Sequence, residues 1–86
     1  MADPATVSCP ADAWTKVASA VTTGQVWILD TTPRYVQTYR TAGNPAPTDD
    51  ALAGPFQGES MLISAGAPID VYIKPRGSAG KVRVDL

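Results

Sequence analysis

The chain has 86 residues, with seven Lys and Arg against eight Asp and Glu, a net charge of −1, one cysteine and no histidine. A chain of this length makes one domain that buries only about 60–65% of its unfolded surface, a thin margin that oligomerisation or docking would widen. The charge balance argues against a dedicated nucleic-acid binder. No apolar run reaches the length of a membrane span, the first residues lack a signal peptide's basic and apolar regions, and a lone cysteine excludes an intramolecular disulfide.

Residues 1–7 carry no core pattern of their own. They read as an extended N-terminal arm, able to add a strand to a neighbour's exposed sheet edge. Cys9 reads as a small, semi-buried strand residue. Ala11 to Ala13 form a turn into a strand from Trp14 to Ser19, and Thr23-Gly24 closes the next turn. The segment from Gln25 to Asp30 is dense in β-formers. Within it Trp27 opposes Val26 and Ile28 across the sheet, so one side carries an outward apolar patch. Thr31-Thr32-Pro33 breaks this strand, because proline cannot donate to a ladder. Arg34 to Arg40 then puts Tyr35, Gln37 and Tyr39 on one face and predicts a hairpin with the preceding strand.

Residues 43–55 lack periodicity and are rich in proline and glycine. Pro45 and Pro47 favour stiff, polyproline-like backbone, and long loops in compact domains commonly carry function. Met61 to Ser64 reads as a buried strand, and Ala65-Gly66-Ala67-Pro68 as a turn. Ile69, Val71 and Ile73 alternate with Asp70, Tyr72 and Lys74, and Val82, Val84 and Leu86 alternate with Lys81, Arg83 and Asp85. That period of two, with Gly77, Ser78 and Gly80 between, predicts a C-terminal hairpin that closes the fold, with Arg83 and Asp85 pointing away from the core. Six or seven short strands at this turn spacing predict an all-β fold, a small antiparallel β-sandwich or barrel formed by a single domain over residues 1–86.

The residue inventory is poor in chemistry. Without histidine the usual general base, zinc ligand and triad relay are missing. Asp30, Asp49, Asp50, Glu59, Asp70 and Asp85 are spread over separate turns and strand edges, so a paired-carboxylate cleft is not expected. Asp49-Asp50 lacks the alternating acids of a calcium loop, and Gly77-Ser78-Ala79-Gly80 lacks the strand-to-helix setting of a phosphate loop. The seven cations look scattered. No enzymatic activity, cofactor or metal is expected, and the aromatics read chiefly as core or contact residues.

The runs Ser8-Cys9-Pro10 to Trp14-Thr15-Lys16-Val17-Ala18, Tyr35 to Arg40 with Gly43 to Thr48, Glu59-Ser60, Ile63 to Ala65, Ile69 to Ile73 and Gly80 to Leu86 together resemble a family of small virion proteins of tailed bacteriophages. The resemblance covers most of the chain and is one of overall texture, with no catalytic motif. It implies a non-enzymatic capsid decoration or cement protein that binds and stabilises the major capsid protein as a homo-oligomer, a trimer by preference, in a virion assembled in the host cytoplasm. Neither nucleic acid nor membrane is an expected partner. Candidate partner contacts are Val7, Trp27, Tyr35, Tyr39, Pro45, Pro47 and Arg83. The alternative reading is a tail- or fibre-associated receptor- or carbohydrate-binding β module.

Overall fold

A computed structural model describes residues 5–48, 54–56 and 59–85, and its regular elements there are all strands. They are β1 (Ala5–Cys9), β2 (Thr15–Ile28), β3 (Arg34–Thr41), β4 (Gly54–Pro55), β5 (Ser60–Arg76) and β6 (Gly80–Asp85). All belong to one antiparallel sheet in the order β1-β6-β2-β5-β3-β4. The fold is all-β, as the alternation predicts.

The six strands fall within the expected number, but two of them are longer than expected, because two predicted turns are bends within strands. The chain continues through Thr23-Gly24 inside β2 and through Ala65 to Pro68 inside β5. Register slips at three places along β2, between Lys16 and Ala18, Ala18 and Val21, and Val21 and Thr23. Irregularities of this kind insert residues into one strand, bend it and increase its twist. Ala20 sits at φ 53° and Gly24 at φ 155°, conformations that a regular strand does not use.

Both predicted hairpins are corrected. Arg34–Thr41 pairs with β5, not with β2, and β6 pairs with β1 and β2, not with β5. The physical reason lies in β5, where Val71, Tyr72 and Ile73 are all buried, so both faces are covered and the strand takes a central place between two partners. Local alternation marks a strand but does not name its neighbour. Leu86 and residues 1–4 lie outside the described residues, as do Asp49 and Asp50; the described part of the proposed arm, residues 5–7, is the start of β1 on its own β6.

The shared bend of β2 and β5 folds the sheet over itself. The second half of β2 joins β6 and β1 on one side, and its first half joins the part of β5 that carries β3. The two halves enclose Cys9, Val17, Ala18, Val26, Tyr35, Ile63, Val71, Ile73, Val82 and Val84. Tyr35 of β3 meets Gly80 of β6 at close quarters. A Cβ on Gly80 would overlap the Tyr35 hydroxyl and stand 2.7 Å from Cζ. The Tyr35 hydroxyl donates to the Asp30 carbonyl at 2.6 Å, which fixes the ring in that position.

A carboxylate is held inside. Asp70 is only 2% exposed, and its carboxylate accepts from the amides of Ala20 (2.9 Å) and Gly43 (3.3 Å), with Lys16 Nζ at 3.6 Å. It ties the left-handed residue of the β2 irregularity to the turn that leaves β3. The Ala20 amide is the largest influence holding this carboxyl below its ordinary range; burial opposes it, and Gly43 and Lys16 reinforce it.

Two expected outcomes follow from this packing. Gly80→Ala should destabilise by about 1–3 kcal/mol through overpacking, and by less when combined with Tyr35→Phe, in a double-mutant cycle read by denaturant unfolding. The Asp70 carboxyl has a folded pKa below its unfolded value, so its contribution is present above about pH 4 and lost as pH falls through the folded pKa. Asp70→Asn should therefore lower the melting temperature at neutral pH and shrink the difference between wild type and variant towards about pH 2. A constant difference across that range would contradict the role assigned to the carboxylate.

Candidate functional site

Of the predicted contact residues, the fold brings Trp27 and Arg83 together and separates the rest. Trp27 Nε1 donates to Asp85 Oδ2 at 3.0 Å, Arg83 lies 5.6 Å over the indole ring, and Arg83 also reaches Asp85 Oδ2 at 2.8 Å. The Arg83 hydrogen bond is the main influence holding the Asp85 carboxyl low. These three side chains therefore meet on the sheet surface through Asp85 Oδ2, while Asp85 Oδ1 is buried without a hydrogen-bond partner. Val7 is half-buried, opposite Val82, and packs against the core from β1.

Two predicted contacts are corrected. Tyr35 is 6% exposed, because its side of β3 faces the core and its ring packs 6.4 Å from Phe56. Pro47 is buried whereas Pro45 is exposed, so the proline loop turns one of its two rings inward. Tyr39, on the same face of β3 as Tyr35, is 64% exposed because the bend of β5 carries the covering layer away from that end.

That bend leaves a groove. Gln37, Tyr39 and Thr41 of β3 form one wall, Met61 through Ile69 of β5 the other, and Val71 part of the floor, around a volume of about 510 Å³. Ile63 and Val71 are buried at its base, while Leu62 is 73% exposed at its rim. Among the described residues its lining holds no carboxylate, amine or thiol. The groove can bury apolar surface and hydrogen-bond through Gln37, Thr41, Ser64 and the Tyr39 hydroxyl. Leu62 was hidden from sequence reading because Met61 to Ser64 looked like a buried run. The signal available was the alternation of Leu62 and Ser64 with Ile63.

A second recess of about 390 Å³ is lined by Ser8, Cys9, Pro10, Asp30, Ala79, Gly80 and Lys81. Burial pushes the Cys9 thiol above its usual range, against a weaker opposing hydrogen bond to Thr15, so the thiolate is scarce. Asp30 accepts from the Thr32 amide at 2.9 Å, and that bond is the chief influence holding its carboxyl low. Among the described residues no three His, Cys, Asp or Glu gather as a metal site.

The cations, scattered in sequence, are not scattered in space. Cross-strand partners share a face, so Arg34 opposite Arg76, Lys74 opposite Val36, Arg40 opposite Asp70, and Lys16 opposite Tyr72 place five of the seven Lys and Arg on the sheet face opposite Val71 and Ile73, around the buried Asp70 and Tyr72. Lys16 lies 5.9 Å over the Tyr72 ring and Lys74 5.7 Å over Trp14. Both rings are thereby covered on that face, which leaves Tyr39 as the most exposed aromatic among the described residues. No family model, curated protein or solved structure matches the chain.

The buried, protonated thiol should react with a disulfide reagent far more slowly in the native protein than in denaturant, where Cys9 is released from β1; equal rates would place the thiol at the surface.

Proposed function

We propose that this chain is a non-enzymatic structural protein that works by docking on other protein subunits, as a capsid decoration or cement protein of a tailed-phage virion does. The observation that carries the reading is the apolar groove between β3 and β5, with Tyr39 64% and Leu62 73% exposed beside it. A solvated monomer gains nothing from two large apolar side chains on the rim of a concavity; a docking surface buries them, with Gln37, Thr41 and Ser64 as a polar border. The resemblance in texture to small virion proteins supplies the setting, and the major capsid protein is the proposed partner. Many weak attachment points per oligomer would multiply a modest single-site affinity.

A carbohydrate-binding module of a tail or fibre is the second reading, supported by Tyr39 standing beside Gln37 in the groove. A single open aromatic ring is a small platform, and the other aromatics are buried, half-buried or covered by Lys16, Lys74 or Arg83. The apolar rim therefore favours assembly.

Mass spectrometry of purified particles tests the reading through copy number: a ratio near that of the shell protein supports decoration, a handful of copies supports the tail, and absence from the particle refutes both. Tyr39→Asp and Leu62→Asp should abolish particle binding in a co-sedimentation assay while changing stability by no more than about 0.5 kcal/mol, because neither side chain belongs to the core.

A further inference from the structure

We infer that copies of this chain join head to tail by strand addition, the outer edge of β1 in one copy pairing with the free edge of residues 61–65 of β5 in the next. This pairing rests on the assembly reading above and specifies how the copies meet.

Both edges are open among the described residues. In the half-sheet β1-β6-β2-β5, β1 borders only β6, and the first part of β5 borders only β2, since β3 joins β5 from Ile69 onward. Each edge presents a row of backbone N–H and C=O groups, the template for another strand. Direction fits as well. Neighbours in this half-sheet are antiparallel throughout, so across four strands the two outermost run opposite ways. A second copy placed in line with the first therefore continues the antiparallel alternation without being inverted.

Polarity selects the register. Val7 and Cys9 stand opposite Val82 and Gly80 and point inward, whereas Thr6 and Ser8 are exposed. On β5, Ile63 is buried and Met61 and Ala65 half-buried, whereas Leu62 and Ser64 are exposed. Pairing Val7 with Ile63 sets Thr6 beside Ser64 and Cys9 beside Met61, inward on inward at Val7 and Cys9 and exposed on exposed at Thr6 and Ser8. A slip of one residue would reverse every face.

Nothing guards the join. Exposed edges are ordinarily blunted by charge or proline, yet Ala5–Cys9 contains neither, and residues 61–69 contain no charge and only Pro68, beyond the paired register. A second copy is the partner of this edge because the matching edge, in length, direction and polarity, is carried by the chain itself. Head-to-tail contacts of this kind close into rings when the rotation permits.

Paired cysteines provide the test. Opposed residues in an antiparallel pair have Cα atoms about 4.5–5.5 Å apart, within disulfide range. Under mild oxidation the double variant Thr6→Cys with Ser64→Cys should form a ladder of covalent oligomers that collapses to monomer on reduction, whereas each single variant and the wild type should not cross-link. Light scattering should give a closed oligomer larger than a dimer, lost in Thr6→Lys and Ser64→Lys variants that melt as folded monomers. Cross-linked dimers from Ser64→Cys alone would mean two-fold pairing of β5 edges and would overturn the head-to-tail arrangement. A wild-type protein that stays monomeric at about millimolar concentration overturns strand addition too; particle binding by that monomer, still lost on Tyr39→Asp and on Leu62→Asp, would then show that the docking reading survives it.

Discussion

A straight strand of seventeen residues would extend about 56 Å, at about 3.3 Å per residue. The longest dimension of the molecule is 32 Å. Strand β5 therefore has to bend, and β2, its partner along most of its length, bends with it. The register slips in β2, the left-handed Ala20 and the buried Asp70 are the local means by which that bend is made and held. A carboxylate inside a protein is costly unless it is hydrogen-bonded. Asp70 meets the condition by accepting from the amides that the irregularity and the β3 turn would otherwise leave without partners.

The bend also produces the surface that the proposed function uses. Where β5 leaves β3, the covering layer lifts away, exposing Tyr39 and opening the groove at Leu62. The same departure leaves the first part of β5 without a neighbour on one side. Core and contact surface are thus consequences of one deformation: the two halves close on Tyr35 and Gly80 at one end and stand open at the other. The groove is a place to bury apolar atoms, bordered by the polar side chains of Gln37, Thr41 and Ser64.

Tyr35 and Tyr39 show how much of this was readable. Both lie on one face of β3, as period-two alternation requires, and sequence reading treated them alike as contact candidates. Their different fates depend on what lies across the core, a matter of the β5 bend some thirty residues away in the chain. The five cations on the sheet face opposite Val71 and Ile73 are a similar case: their common side follows from the β2–β5 and β3–β5 registers, and no spacing within one strand reveals it. Leu62 was partly legible, since Ile63 and Leu62 must point opposite ways in any strand.

Alternation of apolar and polar residues by itself determined that the chain is all-β, roughly where its strands lie, and that Cys9 is a packing residue. These follow from the backbone geometry of single segments, in which side-chain direction repeats every two residues. Which strands pair, which glycine and proline clusters bend a strand in place of ending it, and which face stays open were decided by tertiary structure alone. The reason is energetic: Gly24 and Pro68 permit a turn and a bend equally, and only the gain from burying both faces of Val71–Ile73 between β2 and β3 selects between them.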